Sequence, residues 1–182
     1  MRCHSNHFLL RFVIIIRAEK PSDHAVVFEL IKVAFLGAQH SDGTEQNLVE
    51  NLRKGTSFVP ELSLVAVEND EIVGHILFTV GKVGEEAVLV LAPLSVKPSH
   101  QRMGIGKALI KRGHEIARTL GYGYAFVLGS EHYYPKFGYV PASTFGFEVP
   151  EGFPEINFMA TKLRTDAPQL KGFLVYPEEF GI

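Results

Sequence analysis

The sequence predicts a mixed α/β domain in which helices pack against one central sheet. Runs of β-branched and apolar residues, typical of strands, alternate with segments whose apolar residues recur at helical spacing. The chain has 182 residues, 46% of them hydrophobic, which is enough to bury one substantial core but short for two full domains. We therefore expect a single domain over residues 13–182.

Residues 1–12 are expected to form an extension ahead of this domain. The apolar stretch Phe8–Ile16 is interrupted by Arg11 and is shorter than the roughly 20 helical residues that cross a bilayer, so no membrane anchor is predicted. No small-x-small cleavage site follows it, which argues against a signal peptide.

Composition and charge narrow the classes of partner. The formal net charge of −2 gives no sign of the basic surface that nucleic-acid binding requires, so no nucleic-acid partner is expected. Cys3 is the only cysteine, which excludes an intrachain disulfide and favours a cytoplasmic location. Cys3, His4 and His7 are potential metal ligands, but a short tail offers no fourth ligand, and no metal site is predicted.

The first half of the domain is predicted to begin with a strand and two helices. Phe12–Arg17 is a β-branched run, and Pro21–Asp23 supplies helix-starting residues ahead of a helix that continues to Phe35. After a polar break at Gly37–Gly43, a second, short helix is predicted from about Thr44.

Three strands are predicted next. Leu62–Glu68 and Ile72–Val80 flank Asn69-Asp70, a pair typical of a hairpin turn, and Ala87–Val96 is a nearly all-apolar third strand. Pro93 lies inside that strand. Because proline has no N–H to donate, pairing is expected to be interrupted there by an edge or a bulge.

The second half opens with an amphipathic helix over Gly104–Leu120. Its polar face is predicted to carry Lys107, Lys111, His114 and Arg118, opposite an apolar face that ends at Leu120. The remaining predicted elements are a strand at Tyr124–Leu128, a short turn or helix at Glu131–Lys136 and a late strand at Ile156–Leu163. Phe145–Pro154 is predicted to cover the sheet, and the alternative is that it lines an apolar side of the acceptor pocket. Gly172–Pro177 is predicted as an extra strand that either completes this sheet or pairs with another subunit, which leaves a homodimer open.

The segment Gln101–Lys107 has the features of an anion-binding loop at a helix N-terminus. Gly104 and Gly106 remove side chains where backbone N–H groups would approach phosphate closely, and the helix dipole favours negative charge there. Arg102 and Lys107 bracket the loop and could pair with phosphate oxygens. A lone Gly-x-Gly is equally typical of an ordinary loop with two solvated cations, so its context decides the interpretation.

Two nucleotide-binding motifs fit this loop poorly. A dinucleotide-binding turn would follow its strand directly, whereas about seven residues separate Val96 from Gly104. A Walker loop would place Ser or Thr after Lys107, where this chain has Ala108.

Val96–Leu109 resembles the acetyl-CoA signature of the GNAT superfamily of N-acetyltransferases, in which Gln or Arg, two residues, Gly, one residue and Gly or Ala form the pyrophosphate loop. Tyr134–Tyr139 is similar to the Tyr-x-x-x-Gly-Phe motif of the same superfamily, with Tyr139 in place of the usual Phe. The pair Tyr133-Tyr134 with Phe137-Gly138 resembles a small bacterial subgroup of predicted acetyltransferases. The resemblance spans roughly residues 13–163.

This resemblance implies a twisted, mostly antiparallel sheet that splays between two parallel strands, with helices on its faces. It implies that acetyl-CoA lies in the splay as co-substrate and that Tyr134 is the general acid that protonates the departing CoA thiolate. The alternative for Tyr133 and Tyr134 is a pair of packing tyrosines. The cofactor-binding residues it implies are Leu94, Ser95, Val96, Gln101, Arg102, Met103, Gly104, Ile105, Gly106 and Lys107.

The general base stays open, because Ala87–Val96 carries no carboxylate where many members of the superfamily have one. Glu45, Glu131 and His132 are the candidates, and Glu45 is our first choice. His75 and His100 are interpreted as hydrogen-bonded structural residues.

The resemblance therefore implies acetyl transfer to a primary amine of a small molecule or a protein. Residues 36–47 are expected to line the acceptor pocket. The alternatives are a non-catalytic acyl-CoA sensor or partner-binding module on the same fold, and transfer to aminoacyl-tRNA, which the negative net charge disfavours.

Overall fold

The fold is built on a nine-stranded sheet with helices on both faces. The computed structural model describes residues 13–38 and 41–182, so the predicted extension with Cys3, His4 and His7 lies outside the described residues. In chain order, the elements are β1 (Ile15–Ala18), α1 (His24–Phe35), α2 (Glu45–Lys54), β2 (Phe58–Glu68), β3 (Glu71–Val83), β4 (Glu86–Val96), α3 (Ile105–Thr119), β5 (Tyr124–Leu128), β6 (Val140–Pro141), β7 (Phe147–Glu148), β8 (Phe158–Lys162) and β9 (Gly172–Val175). Short 3-10 turns occupy Pro21–Asp23, Pro98–His100, Tyr134–Phe137, Ala142–Phe145 and Glu178–Phe180.

Short-range hydrogen bonds and backbone angles explain the β1–α1 connection and the β2–β3 turn. The Asp23 carboxylate accepts the backbone N–H of Lys20 at 2.8 Å and is held by Arg17 at 2.6 Å, which ties β1 to the start of α1. Asn69 and Asp70 both adopt left-handed backbone angles, with φ of 47° and 64°, as the favoured two-residue hairpin turn requires. The predicted hairpin between β2 and β3 is confirmed.

The strand order along the main path is β1-β2-β3-β4-β5-β8-β6. Neighbours on this path are antiparallel except β4 and β5, which run parallel and pair only at Leu89–Ala125 and Val90–Phe126. From Leu91 to Val96, β4 stays paired with β3, but no strand among the described residues pairs with its other edge. This is the mixed, splayed sheet that the family resemblance implies.

Pro93 lies at an irregularity in β4. Ile76 of β3 is opposite Leu94 and Phe78 is opposite Leu91, so Ala92 and Pro93 together face the single residue Leu77. An extra residue on one strand is a β-bulge, and it tolerates a residue that cannot donate to the ladder. The expected interruption is confirmed: it is a β-bulge in β4, where β4 pairs with β3.

The sheet separates two hydrophobic clusters. On one face, α3 contributes Ile105, Leu109 and Ile110 to a core with residues of β2, β3 and β4. On the other face, α1 and α2 pack on the sheet through Val27, Ile31, Val49, Leu52, Val65 and Leu77.

His114 is buried, which corrects its predicted place on the polar face of α3. Its side chain is packed against Phe78 and Tyr139, with ring centroids 5.9 and 5.5 Å away, and its Nε2 lies 3.0 Å from the Tyr139 hydroxyl. The buried stripe of α3 is wider than the sequence pattern predicts because the turn at Tyr134–Phe137 also packs on this helix. Leu120, expected on the apolar face, is 45% exposed at the helix end.

The C-terminal third of the chain covers the part of the sheet around β5 and β8. Phe145, Phe147 and Phe153 pack in a third cluster with the buried rings of β5 and β8, as the predicted aromatic cover requires. The strand β9 pairs with β3 of the same chain, through Lys82–Val175 and Val83–Leu174. Phe180, just after β9, packs against both this cluster and the α1–α2 cluster.

Gly113 of α3 provides a test of this packing. A Cβ added there would lie 2.3 Å from Cε2 of Phe78, a ring with no exposed surface. Gly113→Ala is expected to lower the free energy of unfolding by about 1–2 kcal/mol, because overpacking outweighs the gain in helix propensity. Denaturant unfolding followed by circular dichroism measures this change, with the exposed Lys111→Ala as control. An unchanged midpoint for Gly113→Ala would mean that the Phe78 ring has room to move.

Candidate active site

The free edge of β4 offers two backbone N–H groups. In an antiparallel ladder, alternate residues direct their N–H groups to the partner strand. Lys97 N–H donates to Val73 of β3 at 2.9 Å, so Ser95 also faces β3, and the N–H groups of Leu94 and Val96 point to the free edge. Their apolar side chains pack against the α3 cluster.

The loop that follows β4 forms a concave row of backbone donors. Arg102 and Gly104 both have left-handed backbone angles, with φ of 63° and 87°, and α3 begins directly afterwards. The first N–H groups of a helix have no partner within the helix, and left-handed residues among right-handed ones turn successive N–H groups toward one point. Gln101 closes the loop by donating its side-chain amide to the Val96 carbonyl at 3.2 Å.

The side chains of the loop 101–107 differ in their exposure to solvent. Ile105 is buried and fixes the start of α3 in the core, whereas Arg102, Met103 and Lys107 are exposed. The two cations are thus available to an anion held by the backbone. The structure brings Gln101–Lys107 and Leu94–Val96 together into one continuous surface.

Tyr133, which the sequence motif pairs with Tyr134, lies against this surface. A Cβ added at Gly106 would be 2.4 Å from the Tyr133 hydroxyl oxygen and 3.6 Å from Cδ2 of Leu94. The turn at Tyr134–Phe137 therefore sits over the N-terminus of α3. Glycine at position 106 is required for this close approach.

Tyr134 is the first residue of the 3-10 turn Tyr134–Phe137, which follows β5, and it packs against the α3 cluster. Its ring packs on the Cα of Gly129 and meets the rings of Tyr133 and Tyr139 edge-on, with centroids 5.3 and 5.6 Å away. Burial, with a smaller effect of Tyr133, raises the pKa of Tyr134. The hydroxyl therefore keeps its proton over the physiological pH range, as a proton donor requires.

Tyr139 packs against the ring of Tyr134 and is itself hydrogen-bonded to His114. Burial holds the pKa of Tyr139 well above its ordinary value, and burial lowers the pKa of His114 to about 4. The hydrogen bond between them therefore joins a protonated phenol to a neutral imidazole. The hydroxyl by which Tyr139 differs from the usual Phe has a buried partner in this chain.

Glu45 is the first residue of α2, as predicted for a residue at the start of the second helix. Its Oε2 atom and Oε1 of Gln46 are buried and have no hydrogen-bond partner among the described residues. Within that part of the chain, Glu45 makes no hydrogen bond or ion pair with the loop 101–107. Residues 39 and 40 of the expected acceptor segment 36–47 are outside the described residues.

The other candidate bases have different surroundings. Glu131 accepts a hydrogen bond from Asn157 at 2.6 Å, and the side chain of His132 is 88% exposed. His100 bridges Ser99 at 2.8 Å and Glu68 at 3.2 Å, as expected of a structural histidine.

A buried polar network under α1 and α2 was not anticipated. Arg53 of α2 forms a two-point ion pair with Glu19, and the side chains are 6% and 2% exposed. Ser63 donates to the same carboxylate at 2.6 Å, and its oxygen lies 3.1 Å from Nε2 of His75. The one sequence signal was His75, a lone imidazole in the apolar strand β3.

Two absences concern only the described residues. Over 13–38 and 41–182, no three His, Cys, Asp or Glu side chains are grouped so that they could hold a metal ion. No helix in these ranges has the length and apolarity to span a bilayer.

Gly106→Ala tests the site directly. The added Cβ would displace the Tyr133 hydroxyl at the start of α3, so we expect affinity for acetyl-CoA, the ligand that the sequence resemblance implies, to fall by roughly tenfold or more, about 1.4 kcal/mol. Calorimetric titration measures the change, and Gly84→Ala is the control for a glycine in a distant hairpin turn. Unchanged affinity would show that the anion does not approach Gly106.

Comparison with known proteins supports this geometry. Residues 26–139 match the model of the Acetyltransferase (GNAT) family. The chain is 41% identical over 147 residues to the Uncharacterized N-acetyltransferase YjhQ of Escherichia coli K12, covering 75% of this chain and 81% of that protein.

Two solved structures show similar folds. The GNAT family N-acetyltransferase YhbS of Escherichia coli in complex with CoA superposes with a TM-score of 0.84 at 25% identity, covering 94% of this chain and 93% of that one. A GNAT family acetyltransferase from Brucella melitensis in complex with acetyl-CoA gives a TM-score of 0.75 at 29% identity, covering 93% and 99%.

Proposed function

The chain belongs to the GNAT family of acetyltransferases, and we propose that it transfers the acetyl group of acetyl-CoA to a primary amine of a small molecule or a protein. The observation that carries the proposal is the free edge of β4, which continues into the row of N–H donors at the start of α3. The CoA and acetyl-CoA bound in the two similar structures support it.

The proposed cofactor site follows from this surface. The backbone of Leu94, Ser95 and Val96 lines the pantetheine arm, with N–H donors from Leu94 and Val96. The backbone of Gln101, Met103, Gly104, Ile105 and Gly106 holds the pyrophosphate, and Arg102 and Lys107 pair with its charges.

The proposed reaction is direct attack of the neutral amine on the thioester carbon. A backbone N–H at the free edge of β4 stabilises the negative charge that develops on the thioester oxygen. Tyr134 then donates its proton to the CoA sulfur as the carbon–sulfur bond breaks, and its raised pKa ensures that the proton is present. We propose Glu45, with its unpartnered Oε2, as the first candidate for the general base that takes the proton from the acceptor ammonium.

We further propose that the enzyme acts as one domain over residues 13–182, in the cytoplasm. The single cysteine favours this compartment. The predicted extra strand β9 pairs within the chain, with β3 and β7, and a homodimer stays an open prediction.

Calorimetric titration with acetyl-CoA, and in parallel with CoA and NADH, tests the proposal. We expect micromolar binding of acetyl-CoA and CoA and none of NADH, followed by CoA release in the presence of an amine panel. No binding of acetyl-CoA would refute the assignment of the loop 101–107.

A non-catalytic acyl-CoA sensor is the alternative. The absence of a carboxylate on the free part of β4 favours it, since many members of the superfamily have a carboxylate at this place. Tight acetyl-CoA binding without acetylation of any amine in the panel would support the sensor.

A further inference from the structure

The middle of the loop 101–107 is held at its two ends. The N–H groups of Arg102, Met103 and Gly104 donate no backbone hydrogen bond within the part of the chain that the structure describes, and all three residues are exposed. Arg102 nevertheless keeps a left-handed backbone angle, with φ of 63°, which costs free energy in a residue other than glycine. On the helix side, the buried Ile105 fixes the loop. The contacts at its other end therefore decide whether the loop keeps this shape.

His100 anchors that other end, one residue before the loop begins. Its Nε2 atom lies 3.2 Å from Oε2 of Glu68, the last residue of β2, and its Nδ1 atom lies 2.8 Å from Oγ of Ser99. A carboxylate only accepts hydrogen bonds, so Nε2 of His100 carries the hydrogen. The side chains of His100 and Glu68 are 17% and 10% exposed. The imidazole ring is thus fixed through both of its nitrogens.

The Glu68 carboxylate depends on His100 in turn. Its Oε1 atom is buried and has no hydrogen-bond partner among the described residues, so the Nε2–H of His100 is the one hydrogen bond that this carboxylate accepts there. A buried carboxylate that loses such a partner is strongly disfavoured. The pair is therefore difficult to separate, and it couples the start of the loop to the end of the β2–β3 hairpin.

The other contacts that hold the start of the loop lie at the surface. Lys97, just after β4, pairs with Glu71 of β3, and their side chains are 38% and 55% exposed. The side chain of Gln101, which donates to the Val96 carbonyl, belongs to an exposed residue as well. Exposed pairs contribute little because water and salt screen them. The buried hydrogen bond between Glu68 and His100 is thus the strongest constraint on this end of the loop.

We propose that Glu68 and His100 are positioning residues for the binding of acetyl-CoA. Their hydrogen bond keeps Arg102 left-handed, so that the N–H groups of the loop are directed at one point before the pyrophosphate arrives. This inference rests on the proposed function. Neither side chain contacts the cofactor, and both act through the backbone of the loop. A loop that already has its bound shape needs no ordering when the anion binds, so the pair increases affinity and leaves the chemical step unchanged.

The charge of Glu68 alone would have the opposite effect. A carboxylate beside an anion-binding loop repels phosphate, so its removal would tighten binding if Glu68 acted only through its charge. Positioning requires instead that binding weakens when either partner is removed. The sign of the change in affinity therefore distinguishes the two effects.

Two substitutions of His100 separate the hydrogen bond from the imidazole ring. In His100→Gln, the side-chain amide nitrogen can take the place of Nε2 and donate to Glu68, whereas the shorter side chain of His100→Asn reaches only the place of Nδ1. We expect the Kd for CoA to rise roughly tenfold or more in His100→Asn and to stay within about twofold of wild type in His100→Gln. Calorimetric titration of the full-length protein with CoA, and in parallel with acetyl-CoA, measures these changes.

Glu68→Ala tests the pair from the other side. It removes the acceptor without leaving a buried carboxylate unpaired, so it serves even if His100→Asn does not fold. We expect a similar rise of roughly tenfold in the Kd for CoA. Glu71→Ala is the matched control, because it removes only the exposed ion pair with Lys97, and its Kd should stay within about twofold of wild type. At saturating acetyl-CoA, kcat with the best amine of the panel should equal that of wild type in every variant.

Circular dichroism of each variant reports folding separately from binding. If wild-type protein binds neither CoA nor acetyl-CoA, the proposed function fails and this inference with it. If wild type binds CoA and the folded Glu68→Ala variant binds it equally well or more tightly, only the positioning pair is refuted. Equal losses of affinity in His100→Gln and His100→Asn would also refute the pair, because the donor to Glu68 would then make no difference.

Discussion

Tyr134→Phe is expected to lower kcat by roughly tenfold or more while leaving the Kd for acetyl-CoA nearly unchanged. The substitution removes only the hydroxyl. The ring still packs on Gly129 and against Tyr133 and Tyr139, so the fold and the cofactor surface are retained. Without a donor, the CoA sulfur must leave as an unprotonated thiolate, which slows the step in which the carbon–sulfur bond breaks. Steady-state kinetics with saturating acetyl-CoA and calorimetric titration measure the two quantities.

Tyr176→Phe is the matched control for this prediction. Tyr176 is also largely buried, and burial raises its pKa to about 12, but it lies between Phe153 and Phe180 at the base of the sheet. We expect wild-type kcat for this variant. Equal turnover of Tyr134→Phe and wild type would remove Tyr134 from the mechanism.

Glu19→Ala is expected to lower the free energy of unfolding by about 3–5 kcal/mol, because it leaves the Arg53 guanidinium buried without its counter-charge. It also removes the acceptor of the Ser63 hydroxyl. Chemical denaturation measures the loss. Glu71→Ala is the control, since its ion pair with Lys97 is largely exposed and is expected to contribute no more than about 1 kcal/mol.

A double variant separates charge from packing in this network. Glu19→Gln combined with Arg53→Met removes both charges and keeps similar volumes, and it should be more stable than Glu19→Ala alone. A loss for Glu19→Ala as small as that for Glu71→Ala would contradict the burial of Arg53 seen here.

The parts of the fold and site that the sequence predicted depend on short-range chemistry. Asn69 and Asp70 favour left-handed backbone angles, and two such residues in succession determine a hairpin. The loop from Gln101 to Lys107 is likewise continuous in sequence, so its glycines and cations were visible as one motif. Pro93 was informative because the missing N–H affects pairing wherever the strand lies.

The parts that were missed depend on contacts between distant residues. Glu19 is separated from Arg53 by 34 positions and from Ser63 by 44, and no local pattern links them. His114 fits the polar face of α3 by periodicity, and its burial depends on the packing of Phe78 and Tyr139 against it. The close approach of Tyr133 to Gly106 similarly results from the path of the turn after β5.

The pairing of β9 with β3 also bears on how the protein avoids aggregation. At Lys82 and Val83, β3 extends past β2, and β9 occupies the edge that would otherwise remain open. An uncovered strand edge is a template on which strands of other molecules can add. The four residues of β9 therefore keep the longest strand of the sheet from recruiting neighbouring molecules at high concentration.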